Sequence, residues 1–156
     1  MHTPQSILVP ITNTAASMEA VFLAATLVKP RRGKVRLVHI IEVNRSLPLN
    51  AELEAEARRG EQVIRKAESI ANAAGAEAVP TLVQAREAGA AICEEAHDSH
   101  VDAILLGIPY GEEGRAFHHG RTVDYVLNNA TCAVWVVRQG SATDDTHLQE
   151  GKRQEP

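Results

Sequence analysis

The chain has 156 residues, 44% of them apolar, which is enough for one domain with a sizeable core and too few to count on two. Half of its net charge of −4 sits in residues 139–156, where Asp144, Asp145, Glu150 and Glu155 face Lys152 and Arg153; the body is only mildly acidic, and no nucleic-acid or other polyanion partner is expected. No run approaches the roughly 20 apolar residues of a membrane span, and the start lacks the charged and apolar regions of a secretory signal, so no membrane insertion and a soluble, cytoplasmic protein are expected.

Ser6 to Ile11 (SILVPI) is a short apolar run closed by a proline and an Asn/Thr cluster, as in a strand buried on both faces. Met18, Val21, Phe22, Ala25 and Val28 then recur at helical spacing, with Asn13 or Thr14 as N-cap and Pro30 and Gly33 closing the segment. Val35 to Val43 reads as a second strand, and Asn44 to Asn50 as a loop. From Leu53, the positions Ala57, Gly60, Ile64, Ala67, Ile70 and Ala74 trace the stripe of a long surface helix ended by Gly75; Glu52 to Lys66 supply its solvated face. Glu77 to Val83 is a weaker third strand, and Pro80 within it favours an edge position. Ala88, Ile92 and Ala96 mark a third helix.

Ala103 to Leu106 and Ala133 to Val137 read as the fourth and fifth strands, with Val123, Val126, Leu127 and Ala130 as the stripe of the helix between them. Strands alternating with helices imply crossover connections, hence a doubly wound α/β domain with a parallel sheet covered on both faces. Residues 1–138 form that domain, and residues 139–156 are expected to be a disordered polar tail.

The stretch from Ala103 to Arg138 is the most informative. An apolar strand pattern stops at Gly107, a Gly-rich loop follows, and Gly120 opens an amphipathic segment. A loop that leaves the carboxyl end of a parallel strand and feeds a helix presents free backbone N–H groups and a positive dipole end, which attract an anion.

Cys93 and Cys132 show no CxxC or zinc spacing and read as reduced structural thiols. Glu94 and Glu95 beside Cys93 disfavour a thiolate, and no Ser/His/Asp arrangement stands out, so an enzyme is the least expected class. His118 and His119 lack a third clustered ligand, and no metal is expected. His39 reads as a hydrogen-bonded core histidine.

Four pieces in this order, ILVPI at Ile7, LVHIIEV at Leu37, DAILLG at Asp102 and GRTVDYVLNNATCAVWVVR at Gly120, resemble the universal stress protein family over residues 5–138. The resemblance implies a five-stranded sheet in the order 3-2-1-4-5 of the HUP, or adenine nucleotide alpha hydrolase-like, class. It also implies a homodimer, and members divide into those that bind ATP and those that do not. The family's nucleotide motif runs Gly, two residues, Gly, nine residues, Gly, then Ser or Thr. Here its positions hold Gly107, Tyr110, Gly120 and Arg121, and Thr12 stands where ATP-binding members carry an acid near the ribose. A residue with a Cβ costs roughly 1–2 kcal/mol in the left-handed region, so Tyr110 is not expected to follow the family's loop path. Gly111 and Gly114 offer a shifted bend.

Arg121, at the start of the fourth helix and followed by Thr122, offers a fork of donors for a phosphate, and Arg115 adds charge that Glu112 and Glu113 oppose. By resemblance the adenine lies near the Ile40 backbone, between Pro10, Ile11 and the loop after Leu106. These residues imply a regulatory module binding an adenine nucleotide, AMP, ADP or a cyclic nucleotide rather than Mg-ATP, that signals to a partner. The alternative is a nucleotide-independent interaction domain in which Tyr110 and Arg121 plug the pocket, associated with a membrane transporter. The fifth strand, residues 132–138, apolar on both faces, is expected to pair with its copy in a homodimer.

Overall fold

The computed structural model describes residues 2–111 and 120–141. The expectations for Glu112, Glu113, Gly114, Arg115, His118 and His119, and for the tail from residue 142, fall outside them. The chain order is β1 (Ser6–Pro10), α1 (Ala15–Val28), a 3₁₀ turn (Lys29–Arg31), β2 (Lys34–Glu42), α2 (Glu54–Ala73), β3 (Glu77–Ala85), α3 (Ala88–Asp98), β4 (Ala103–Ile108), α4 (Arg121–Asn129) and β5 (Ala133–Arg138). All pairings are parallel, in the order β3-β2-β1-β4-β5.

Each sheet face has its own core, which is why β1 has no polar face to show. Ile7 and Val9 pack with α1 and α2 through Val21, Ala25, Val63, Ile64 and Ala67, while Leu8 packs on the opposite face with Ile92, Ala96, Val123 and Val126 from α3 and α4. Pro80 does lie in an edge strand, where its missing N–H costs no ladder bond on the open side.

Two stripe assignments need correction. Phe22 is 58% and Leu127 48% exposed. In α1 the inward face is made of Ala16, Ala20, Ala24 and Ala25, and these small residues draw the helix close to the sheet and leave Phe22 outside. In α4 the core is served by Val123 and Val126.

A third correction concerns Gly107, which is inside β4 opposite Val137 and not at its end. A Cβ there would lie 2.2 Å from the Ala16 carbonyl oxygen and 2.9 Å from the Ala20 Cβ. Glycine is required at this position by the closeness of α1, whatever the loop beyond it does.

Candidate nucleotide crevice

The β1–β4 register covers only Ile7 with Ala103 and Leu8 with Ile104, although β1 runs to Pro10 and β4 to Ile108. Beyond that point β1 stays with β2, since the Ile11 amide donates to the Val38 carbonyl at 2.8 Å, and β4 stays with β5, since the Gln139 amide donates to the Ile108 carbonyl at 2.8 Å. The sheet therefore parts between the carboxyl ends of β1 and β4. This is the point where chain order reverses, and crevices at such points bind ligands in open α/β sheets.

The crevice brings together several of the expected residues. Leu106 is buried and Ile40 half-buried, both with the core on the α3/α4 face, and Pro10 is half-buried; Ile11, expected beside them, instead buries its side chain in the core on the α1/α2 face, as the alternation of β1 from Ile7 and Val9 requires. Strand alternation aims the Ile40 N–H and C=O the same way as those of Val38, toward the side of β2 that β1 has left behind. The Ile11 carbonyl accepts from His39 Nδ1 at 2.8 Å, which pins the end of β1 to β2. His39 is thus the hydrogen-bonded core histidine expected, and the carbonyl partner fixes its Nδ1 as the protonated nitrogen.

Thr12 is not an isolated replacement for an acid. Its Oγ1 lies 3.2 Å from Thr14 Oγ1 and 3.1 Å from Ser17 Oγ, its own amide donates to Ser17 Oγ at 3.1 Å, Thr14 Oγ1 donates to Ser17 Oγ at 3.1 Å, and the Ser17 amide donates to Thr14 Oγ1 at 3.2 Å. Thr14 is thereby the N-cap of α1, and Ser17, 4% exposed, is the only buried polar residue among those described. Sequence reading missed Ser17; the T-x-T-x-x-S spacing was the available signal.

At the other wall, Gly120 caps α4 with φ −38° and ψ 178° and no side-chain bond. Among the described residues, nothing lies within 4 Å of where a Cβ on Gly120 or Gly111 would stand. Gly111 does not bend the chain through positive φ, because Gly75 is the one positive-φ glycine among the described residues. Arg121 is exposed, Thr122 half-buried and Tyr110 50% exposed. The Arg138 guanidinium sits 4.9 Å from the centre of the Tyr110 ring. The Tyr110 ring is thus held beside Arg138 at the end of β5.

A second cavity, ≈ 580 Å³, opens beneath α2 and is lined by Asn13, His39, Glu42, Glu56, Arg59 and Lys66, among others. Its carboxylates are already engaged, Glu42 accepting from the Ala88 amide at 3.1 Å and Glu56 pairing with Arg59 at 3.5 Å. Both thiols are free, and burial pushes Cys93 and Cys132 up, with the Cys132 charge adding to the effect on Cys93. No group of three His, Cys, Asp or Glu suited to a metal occurs among the described residues.

The family model for the universal stress protein family matches residues 4–138. This chain belongs to the universal stress protein family. Among solved structures it is similar to UspA from Lactobacillus plantarum, at 21% identity and a TM-score of 0.71 over 86% of this chain and 97% of that one. The universal stress protein from Archaeoglobus fulgidus in complex with dAMP matches at 18% identity and a TM-score of 0.69, over 86% of this chain and 98% of that one. A universal stress protein in complex with cAMP matches at 17% identity and a TM-score of 0.68, over 88% and 98%. No curated protein sequence matches the chain. At these identities the structural likenesses establish the fold, a five-stranded parallel sheet in the order 3-2-1-4-5 flanked by helices.

Proposed function

We propose that this universal stress protein is a regulatory module that binds an adenine nucleotide in the crevice between β1 and β4 and signals occupancy to a protein partner. The observation that carries the reading is the early end of the β1–β4 register, which parts the carboxyl ends of the two strands beside Leu106 and Ile40, at the end of the sheet where α4 begins. The base would sit on Pro10 and Leu106, with the Ile40 backbone offering a donor and an acceptor to its edge. The phosphate would meet the amides of Arg121 and Thr122 behind Gly120, and the Arg121 guanidinium would close over it. Relatives of the same fold in complex with dAMP and cAMP support an adenine nucleotide carrying few phosphates. The uncharged run from Pro10 to Met18 supports a ligand without magnesium, since no carboxylate stands there to hold the metal.

The module is non-catalytic in this reading: Thr12 cannot act as a general base, and both thiols are held protonated by burial. It works in the cytoplasm as a homodimer joined through residues 132–138, and a transporter is the partner class that the altered motif favours. Calorimetric titration with AMP, ADP, ATP and cyclic AMP tests the core of the reading. Saturable binding of at least one is expected, and an absence of heat and of thermal shift for all four would overturn it.

A further inference from the structure

A groove of ≈ 500 Å³ runs along the outer side of α3, between that helix, the edge strand β3 and the loop from β2 to α2. Its floor is apolar: Leu49 from the loop, Val83 and Ala85 from β3, and Ala90 and Ala91 from α3. Leu49 is 48% exposed, yet its carbonyl is held by Gln84 Nε2 at 3.0 Å, so this apolar floor is fixed in place without being covered. Arg86, the only cation lining the groove among the described residues, has its Nη1 on the Asn44 and Leu47 carbonyls, each at 2.8 Å. The wall is acidic, with Glu87, Glu94, Glu95 and Asp98. Glu87 pairs with Arg45 at 3.7 Å and Glu95 accepts from the Ser99 hydroxyl at 3.2 Å; among the described residues the side chains of Glu94 and Asp98 have no such partner.

Those acids stand where they weaken the helix that carries them. The first turn of α3, whose positive dipole end favours an acid, has none, while Glu94, Glu95 and Asp98 crowd toward the negative end, with His97 the one basic residue of the last turn. Glu94 and Asp98 are also a like-charge pair at i, i+4, which destabilises a helix further. A placement that opposes local stability, beside an uncovered apolar floor, marks a surface shaped for something other than the fold. We propose that this groove docks a cationic amphipathic helix of a partner protein, its aliphatic side chains on the floor and its Lys or Arg residues against Glu94 and Asp98. One helical turn separates the two carboxylates, the interval at which cations recur along a helix laid beside α3, and pairing them removes their mutual repulsion. An added strand does not fit as occupant, because Pro80 lacks the N–H that the open edge of β3 would have to offer. The groove supplies a partner-facing surface to the reading above and does not rest on nucleotide binding.

Fluorescence anisotropy of a labelled amphipathic leucine–lysine helical peptide, titrated with the full chain in the absence of nucleotide, tests the proposal against a leucine–glutamate peptide of the same pattern. The double variant Glu94→Gln/Asp98→Asn removes the groove charges, and Glu52→Gln/Glu61→Gln removes the same charge from the exposed face of α2. The lysine peptide is expected to bind the parent, to bind the groove variant about fivefold more weakly, and to bind the α2 variant as it binds the parent. The urea midpoint of the groove variant should rise, since its helix no longer carries charges against the dipole, so that weaker binding cannot be ascribed to a damaged fold. Equal weakening in both variants, equal affinity for the glutamate peptide, or no binding of the lysine peptide would each overturn the docking proposal, and the nucleotide reading would stand in every case.

Discussion

Gly107 within β4 and Gly120 at the start of α4 have opposite reasons for being glycine. At Gly107 a methyl group would land 2.2 Å from the Ala16 carbonyl oxygen, a backbone atom that cannot swing away, so Gly107→Ala should cost about 3 kcal/mol through forced displacement of α1. At Gly120 the same methyl meets none of the described residues, and Gly120→Ala should cost under about 1 kcal/mol as a poorer N-cap. Urea unfolding of the two variants should therefore separate them clearly, while ligand titration should show Gly120→Ala weakened at a site that needs close approach to the α4 amides. Equal destabilisation by both would refute this division. The spacing from Gly107 to Gly120 was legible in the sequence, but the reason for Gly107 was not, because Ala16 reaches it only across the packed interface of α1 with β4. Likewise Thr12 was visible as a lost acid, whereas its hydrogen bonding depends on Ser17, which α1 brings back over it by one turn.

At the scale of elements, alternation of strand and helix patterns was enough to read a parallel sheet covered on both faces, and Pro80 to read the edge place of β3, since period and proline are local signals; the order 3-2-1-4-5 was carried by the family resemblance. What stayed hidden were the long-range side-chain ties that hold the ends of those elements. Arg86 donates to the carbonyls of Asn44 and Leu47, each at 2.8 Å, and Gln84 to those of Leu49 and Ala51, each at 3.0 Å, so two side chains at the end of β3 pin the loop between β2 and α2. Asp102 closes the opposite end of the sheet, accepting from the amides of Gln5 at 2.7 Å and Ser6 at 2.9 Å. Those amides hold its carboxyl below the usual carboxylate range. A group with a lowered folded-state pKa stabilises above its unfolded pKa and loses that contribution as pH falls through the folded one. Asp102→Asn should accordingly lower the urea midpoint at neutral pH, and the gap to the parent should close in strong acid. A gap independent of pH would show that the charge of Asp102 plays no part.

At the scale of the whole molecule, the sheet ends on one side in β5, whose outer edge has no strand partner among the described residues and whose Val136 is 38% exposed. A short apolar edge of this kind invites a second copy. Light scattering should give a dimer mass for the parent and a monomer mass for Val136→Lys, and the same monomer mass for both would contradict pairing through this edge. The exposed Phe22 and half-buried Val137 border one shallow depression between α1, α2 and β5, so that edge continues into apolar surface instead of stopping at the strand.

The parting between β1 and β4 and the cavity beneath α2 lie at the same end of the sheet, and the ligand belongs in the first of them. Amide chemical-shift mapping during a cyclic AMP titration decides this most directly. Saturating shifts at Thr12, Ile40, Gly120, Arg121 and Thr122, with small ones at Arg59, Gln62 and Lys66, are predicted. Shifts centred on the α2 residues, or none at all, would contradict it.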